Sequence, residues 1–299
     1  MGENANTYRI EGPALISFSG GRTSAYMLHE IIRAHGGSLP DDVVVAFANT
    51  GKECEETLRF VHECGSRWGV RVRWVEYRDL RAAYQRKEVA VSWSFEEVGF
   101  NSASRNGEPF DALINRKGRL PNGEERWCTE FLKVKVLHRL MEALGYGKPG
   151  NYQEPIGLRH DEGHRILPGL ARAETDGRRV CYPLANHGKT KRDVRGFWWG
   201  EGNRYETSTR PQGFDLELPD LWGNCDLFFA MGVATRRERV RQRPEVAAWW
   251  GAAEDRQGGT FSKRESVADL VRQAKDHAAT PDLFDVDADC GTWCPGAAA

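Results

Sequence analysis

The sequence predicts an α/β fold: a three-layer arrangement with a parallel sheet between helices, followed by a C-terminal helical region. Short apolar runs alternate with segments of about a dozen residues whose apolar side chains recur at helical spacing. Glycine-rich or polar loops follow several of these runs, as is typical where buried parallel strands end. Parallel neighbours need crossovers of this length, so the alternation favours βαβ units over hairpins.

The alternation is clearest in the first half of the chain. We predict strands over 14–18, 43–48, 70–77, 152–158 and 180–184, and helices over 23–33, 55–68, 129–145, 192–199 and 234–250. Residues 83–127 have neither periodicity and are rich in turn residues and charge, which predicts a long irregular segment with a functional role. We expect an α/β domain over 1–200 and a helical region with a cysteine-bearing tail over 201–299.

Composition excludes several broad classes of protein. The 299 residues include 42 basic and 43 acidic side chains, so bulk charge gives no reason to expect a nucleic-acid or membrane partner. The chain has no apolar run near the ~20 residues of a membrane span, and residues 1–10 lack the apolar centre of a signal peptide. Seven cysteines, an odd number without an export signal, argue against a disulfide framework. We expect a cytoplasmic protein with no membrane partner.

The segment "SGGRTS" lies between the first predicted strand and the first predicted helix. Gly20 and Gly21 allow backbone N–H groups to approach an anion closely, and the positive end of the helix favours negative charge there. Hydroxyl and guanidinium donors flank the glycines, from Ser19, Arg22, Thr23 and Ser24. The segment matches neither GxxxxGK[ST] nor GxGxxG. It predicts a phosphate or sulfate site, with a serine-capped tight turn as the alternative.

Two more predicted strands end in polar loops, "ANTGKE" after the second strand and "GLRHDE" after the fourth. The carboxyl ends of parallel strands meet at one edge of a sheet, which is where ligands bind in doubly wound folds. Convergence of three polar loops at that edge favours a binding site over a structural turn.

At this point the sequence resembles a known family. "SFSGGRTSAYML" resembles the PP-loop of the adenine nucleotide alpha-hydrolase-like superfamily, and "NTGKE" resembles its loop that closes on adenosine. In order along the chain, further segments are similar to the stand-alone bacterial and phage-type branch of the phosphoadenosine phosphosulfate reductase family: "SASRNGEPF", "RWCTEFLKVK", "GLRHDE", "CYPLA", "LPDLWGNCDLFF" and a cysteine-containing tail after "PDLFD". Together these segments cover residues 15–294.

The resemblance implies a site for an adenine nucleotide, either ATP or phosphoadenosine phosphosulfate. The nucleotide-binding residues it implies are Ser17, Ser19, Gly20, Gly21, Arg22, Thr23, Ser24, Asn49, Thr50, Gly51, Gly157 and Arg159. Arg22 and Arg159 would also act on the reacting phosphates. Asp161 and Glu162 would bind Mg²⁺, with an acidic pair at a helix start as the alternative. ATP-splitting relatives have an acidic residue where this chain has Thr23, which favours a sulfonucleotide slightly.

The resemblance also assigns roles to cysteines. Cys128, Cys225, Cys290 and Cys294 match the family's cysteine-bearing segments. Four thiols are enough for a [4Fe–4S] cluster, although Phe228 stands where relatives commonly have the second thiol of a CxxC motif. The alternatives are that Cys290 and Cys294 form a catalytic redox arm, or that the cysteines are chemically idle. Cys54, Cys64 and Cys181 are predicted to pack in the interior.

The arginine-rich helix predicted over 234–250 has two interpretations. Arg236, Arg239 and Arg243 share one face, which could meet a phosphate or a nucleic-acid backbone. The favoured interpretation is a solvated face above an apolar one that includes Val240 and Trp250. Trp198, Trp199, Trp222, Trp249 and Trp250 are predicted to pack the C-terminal half against the sheet.

By resemblance the chain is expected to reduce a sulfonucleotide with a thiol reductant. One alternative is an ATP pyrophosphatase that adenylates a nucleobase or nucleic-acid acceptor for sulfur transfer, with the sulfur carried by a cysteine or an iron–sulfur cluster. Another alternative is a nucleotide-binding regulatory module without turnover.

Overall fold

The computed structural model describes residues 7–81, 92–200, 222 and 225–276 of the chain. Its strands are β1 (Ala14–Ser17), β2 (Val43–Asn49), β3 (Val72–Asp79), β4 (Trp93–Val98), β5 (Gln153–Pro155) and β6 (Arg179–Cys181). They form one sheet in the order β4-β3-β2-β1-β5-β6, in which β3 and β4 are antiparallel and all other neighbours are parallel. The prediction of an α/β fold is confirmed.

The helices cover both faces of this sheet. They are α1 (Arg22–Ala34), α2 (Glu55–Arg67), α3 (Glu108–Lys117), α4 (Trp127–Thr129), α5 (Lys135–Ala143), α6 (Gly163–Thr175), α7 (Pro183–Asn186), α8 (Lys191–Trp199), α9 (Val233–Gln242), α10 (Val246–Gln257) and α11 (Val267–Asp276). A π-helical turn over Glu130–Val134 joins α4 to α5. None of the helices in the described ranges combines the length and the apolar composition needed to cross a membrane.

Alternating side chains along the strands enter two apolar layers, as a period of two requires. In β1, Ile16 packs in the layer with α1, α2 and α8, whereas Leu15 packs in the opposite layer with α5. The layer of Leu15 also contains Trp250, Phe261 and residues of α11. The C-terminal helices therefore share a core with the sheet, and a three-layer arrangement with a C-terminal helical region results.

The topology creates a crevice at one edge of the sheet. From β1 the chain adds β2 and β3 on one side, and later places β5 and β6 on the other side. The order reverses between β1 and β5, so the loops at their carboxyl ends border the position where ligands bind in such sheets. These are residues 18–21 and residues 156–162.

The prediction of an irregular segment over 83–127 is wrong in part. Within it lie β4, which pairs antiparallel with β3, and the helix α3. Glu96 and Glu97 face solvent on this edge strand, which weakened its apolar pattern. α3 is short and lies between Gly107 (φ +87°) and Gly118 (φ +64°). Because turn residues flank it on both sides, the segment as a whole has the composition of a loop.

The helix predicted over 234–250 is two helices. α9 ends at Gln242 and α10 begins at Val246, with Pro244 between them. The predicted solvated face is also wrong, because Arg236 and Arg239 are 4% and 3% exposed. Arg236 pairs with Glu265 at 2.9 Å, and Arg239 donates to the carbonyl oxygens of Cys225 and Asp226. Two of the three guanidinium groups of this face are therefore buried and paired within the protein.

Candidate functional site

The loop after β1 has the compact form that its glycines predicted. Gly20 has φ +76°, and a Cβ there would lie 2.7 Å from Thr57 Cγ2 and 3.0 Å from Val61 Cγ2 of α2. The loop therefore lies directly against α2, and only glycine fits at this position. Gly21 precedes α1 with no side-chain hydrogen bond capping the helix. An uncapped helix N-terminus of this kind can accept an anion in place of a capping side chain.

The hydroxyl groups of this loop hydrogen-bond within it. Ser24 Oγ donates to Gly21 O at 2.9 Å, and Ser19 Oγ lies 2.9 Å from Ser24 Oγ. Since the Ser24 proton is used on Gly21, Ser19 is the donor between the two hydroxyls. These two hydrogen bonds stiffen the loop.

The loop after β5 meets the loop after β1 at close range. A Cβ on Gly157 would lie 3.0 Å from Ser24 Cα, so the two backbones are almost in contact. Arg159 is buried, and its Nη1 donates to Thr23 Oγ1 at 3.2 Å. The structure thus brings together the predicted residues from both loops, at the point where the strand order reverses.

Asp161 and Glu162 hold the Arg159 segment in place. Arg159 Nε donates to Asp161 Oδ1 at 3.0 Å, and its backbone N–H donates to Glu162 Oε2 at 3.0 Å. The other carboxylate oxygens accept from the Lys191 backbone N–H (Asp161 Oδ2) and from Arg165 (Glu162 Oε1).

Burial raises the pKa of Asp161, but the Lys191 N–H and the Arg159 guanidinium outweigh it and hold the pKa below its usual value. Each oxygen of Asp161 and Glu162 accepts a hydrogen bond from a protein donor, so in this structure the pair holds the Arg159 segment in place. The assignment of the pair to Mg²⁺ stays a prediction.

Helix α8 connects the two loops, a role that the sequence did not reveal. Its first residue, Lys191, donates its N–H to Asp161 at 3.2 Å, and Trp198 Nε1 near its end donates to Arg22 O at 3.1 Å. The Arg22 guanidinium carbon lies 4.9 Å from the ring centroid of Trp199. Trp198 and Trp199, predicted as packing residues, thus also hold the backbone and the side chain of Arg22.

On the other side of β1, the loop after β2 contains Asn49, Thr50 and Gly51. Both N–H groups of the Asn49 amide are used within the protein: Nδ2 donates to Glu76 Oε1 at 2.7 Å and to Ser104 O at 2.8 Å, and Oδ1 accepts from Gly51 N at 3.1 Å. The Asn49 side chain therefore holds the loop in its shape. Glu76 was missed by sequence reasoning. The sequence signal that could have identified it is an acidic residue in the middle of the strand "VRWVEYRD".

Two of the predicted thiols lie together. Cys128 and Cys225 line one small cavity with Thr50, Lys133 and Phe228. Thr50 Oγ1 lies 3.6 Å from Cys225 Sγ. Burial raises the pKa of Cys128 to about 11 and that of Cys225 above its usual range, so both are neutral thiols at pH 7 in this form.

A [4Fe–4S] cluster needs about four thiolates, of which this cavity supplies two. Cys290 and Cys294 lie outside the described residues, and within the described ranges no three potential metal ligands converge. Phe228 forms an apolar part of the wall of the same cavity. The described residues thus supply two of the about four thiolates that a [4Fe–4S] cluster needs. Cys54 and Cys64 are buried, whereas Cys181 is partly exposed.

The segment with Cys225 is joined to the loop after β2. Glu53 and Cys225 form an isolated antiparallel bridge, and Asp226 N donates to Lys52 O at 2.8 Å. Lys52 Nζ pairs with Asp226 Oδ2 at 2.9 Å in the interior. The thiol cavity therefore directly adjoins the loop that is predicted to lie near adenosine.

Comparisons with known proteins find two distant relatives. The chain is 28% identical over 234 residues to the uncharacterized nin region protein ORF290 of Escherichia phage lambda, covering 77% of this chain and 71% of the phage protein. It is also 28% identical over 152 residues to the uncharacterized protein MJ0066 of Methanocaldococcus jannaschii, covering 50% of this chain and 23% of the archaeal protein. No protein-family model and no solved structure matches the chain.

Proposed function

We propose that this chain is an enzyme that binds an adenine nucleotide in the crevice between β1 and β5 and acts in sulfur chemistry. The observation that carries the proposal is the contact between Arg159 and Thr23, which joins two polar loops at the reversal point of the sheet. Backbone N–H groups of the first turn of α1, together with Arg22 and Arg159, would bind the terminal phosphate or sulfate. The resemblance of "SGGRTS" and "GLRHDE" to PP-loop enzymes supports the same assignment.

The first candidate reaction is sulfonucleotide reduction. A cysteine thiolate, from Cys290 or Cys294, attacks the sulfur of phosphoadenosine phosphosulfate. An S–S bond forms as the S–O bond to phosphate breaks, and adenosine 3′,5′-bisphosphate leaves. A second thiol then attacks the cysteine sulfur, releases sulfite and leaves a disulfide, which a thiol reductant reduces. A cationic site with Thr23 in place of a carboxylate favours this anionic substrate.

The second candidate is ATP-dependent activation for sulfur transfer. ATP adenylates an oxygen of a nucleobase or nucleic-acid acceptor with release of pyrophosphate, and a sulfur nucleophile then displaces AMP. The specific observation in favour is that Cys128 and Cys225 line one cavity beside the loop after β2. An iron–sulfur cluster, if bound, would be held there and would supply the sulfur or redox chemistry. The buried arginines of α9 give no support to a nucleic-acid acceptor.

Product analysis tests the proposal and separates the candidates. The full-length protein, purified without oxygen, is incubated with phosphoadenosine phosphosulfate or with ATP, each with dithiothreitol, and the nucleotides are separated by chromatography. Adenosine 3′,5′-bisphosphate with sulfite identifies a reductase, and AMP with pyrophosphate identifies an adenylating enzyme. If the protein binds a nucleotide without forming either product, the ATP incubation is repeated with an added nucleic-acid acceptor: AMP and pyrophosphate then identify an adenylating enzyme, and their absence identifies a regulatory module. No binding of either nucleotide overturns the proposal.

A further inference from the structure

Helix α6 presents an apolar stripe to solvent. Leu167 and Leu170 lie one turn apart on it and are 72% and 43% exposed, and among the described residues they are the large apolar side chains that are exposed. The helix packs on the rest of the protein through small residues, since Gly169 and Ala173 are buried. Because two large apolar side chains are neighbours on its outer face, α6 is a candidate docking surface.

Positive charge flanks the start of this stripe. Lys189 O accepts from His160 N at 2.8 Å, and Lys191 N donates to Asp161 Oδ2 at 3.2 Å, so the segment 189–192 lies beside the residues that lead into α6. This segment is basic, with Lys189, Lys191 and Arg192. The positive end of the α6 dipole adds to their charge. The surface therefore fits an apolar segment that carries negative charge.

The chain itself contains a segment of that chemistry after α11. Residues 281–289, "PDLFDVDAD", combine Leu283, Phe284 and Val286 with four aspartates. Residues 276–299 contain no lysine or arginine. Apolar side chains that alternate with aspartates are complementary to a leucine stripe beside a basic segment.

The position of α11 allows this segment to reach α6. The π-helical turn packs Leu132 in the layer that also contains Leu270 of α11, and it packs Val134 against the small cluster that Ile166 of α6 also contacts. The two helices therefore lie on the same side of the sheet. The eight residues from Asp276 to Phe284 span up to about 28 Å when extended, which is about three helix-to-helix spacings.

We propose that the outer face of α6 is an intramolecular docking surface for residues 281–287. Phe284 covers Leu167 and Leu170, and the aspartates lie toward the basic segment 189–192. Because α6 begins directly after Glu162, the docked segment lies beside the loop of Arg159. The inference does not depend on which reaction the crevice performs.

Photo-crosslinking of the full-length protein tests the docking. The photoreactive residue p-benzoylphenylalanine replaces Leu167, whose exposed position accommodates it. After irradiation the monomer is separated on a denaturing gel and digested with trypsin, which releases residues 166–172 and residues 276–299 as single peptides. Mass spectrometry then identifies the linked residues. We expect the main crosslink to join the probe to residues 281–287.

Variants on both sides of the contact sharpen this test. We expect Phe284→Ser and Leu170→Ser, each in the protein with the probe, to lower the crosslink yield about fivefold or more, because each removes apolar contact area. Raising NaCl from about 50 to about 500 mM should also lower the yield, since it screens the attraction between the aspartates and the basic segment.

Glu63 is the matched control position for the probe. Its side chain is 40% exposed on α2, and α2 packs on the opposite face of the sheet from α6. We expect a yield with residues 281–287 below about one fifth of that from Leu167. Equal yields from the two positions, or no crosslink from Leu167, overturn the inference. A main crosslink from Leu167 to residues 201–221, to any other segment or to a second copy of the chain also overturns it.

Discussion

Arg159 Nη1 and Thr23 Oγ1 lie 3.2 Å apart although 136 positions separate the two residues in the chain. Arg159 comes from the loop after β5 and Thr23 from the first turn of α1, so their hydrogen bond spans the crevice between the strands. Asp161 and Glu162 fix the guanidinium from the other side. Under the proposed function, this buried guanidinium, held on three sides, would stabilise negative charge on a phosphate or sulfate.

The first prediction concerns this guanidinium. We expect Arg159→Lys to lower nucleotide turnover by about 100-fold, because a lysine keeps the charge but cannot serve Thr23, Asp161 and the reacting group with one planar fork. Turnover is measured by the product analysis described above. Thermal unfolding of the same variant checks that the site remains folded.

Arg172→Lys is the matched control for Arg159→Lys. Arg172 lies further along α6, its side chain is 57% exposed, and it contacts Asp176 at 3.4 Å, so we expect wild-type turnover. Arg159→Lys with more than half of the wild-type turnover would show that the guanidinium geometry is not needed.

The second prediction concerns the close approach of the two loops. A methyl group at Gly157 would lie 3.0 Å from Ser24 Cα and 3.3 Å from Ser24 N, both of which are backbone atoms. We expect Gly157→Ala to push the loops apart and to weaken nucleotide binding by about tenfold or more, as measured by calorimetry.

Gly163→Ala isolates that steric effect. Gly163 lies at the start of α6, and a Cβ there meets no atom within 4 Å, so we expect unchanged nucleotide affinity. Equal affinity in Gly157→Ala and the wild type would mean that the nucleotide does not occupy the crevice between these loops.

The sequence predicted the parallel strands and the tight turn after β1 well because both depend on local patterns. Val43–Asn49 is a continuous buried run, and Gly20 in the loop after β1 has a conformation that few other residues adopt. β4 was missed because antiparallel pairing with β3 depends on a distant partner, and its charged residues face solvent.

The hydrogen bonds that hold the candidate site in place could not be predicted from the sequence. Trp198 and Glu76 act through contacts with Arg22 and Ser104, which are distant in the chain, and no local pattern reports such contacts. The acidic pair after Arg159 was visible, but its hydrogen bonds with Arg165 and with the Lys191 backbone N–H were not. The roles of Cys290 and Cys294 stay predictions.

The third prediction concerns the two thiols of the cavity. Cys128 and Cys225 are 6% and 5% exposed, and burial raises the pKa of both thiols, so little thiolate is present at pH 7.5. We expect iodoacetamide to label them slowly in the reduced native protein without bound metal and rapidly in urea. Mass spectrometry of tryptic peptides measures both rates.

Cys64 is the internal reference for a thiol packed in the core, because it is fully buried in α2. Native labelling of Cys128 or Cys225 more than tenfold faster than that of Cys64 would contradict the prediction and would indicate that the cavity opens to reagents.

The last prediction concerns Glu154 in β5, the strand that leads into the loop of Gly157 and Arg159. Glu154 is buried, its Oε1 accepts from Arg178 Nε at 2.9 Å, and its Oε2 lies 3.0 Å from His138 Nε2. Burial alone would raise its pKa, but the hydrogen bonds from Arg178 and His138 outweigh burial and lower the pKa to about 2.

Because the folded-state pKa lies below the unfolded value, Glu154 stabilises the protein fully above about pH 4.5, and this contribution is lost as the pH falls toward 2. We expect Glu154→Gln to lower the free energy of unfolding by about 3 kcal/mol at pH 7, since buried Arg178 loses its charged partner. The difference in the free energy of unfolding between Glu154→Gln and the wild type should be smaller at pH 3 than at pH 7. Urea unfolding at both pH values measures this difference, and Glu142→Gln, at a partly exposed position, is the control. An equal gap at pH 7 and pH 3 would show that the carboxylate is not the stabilising group.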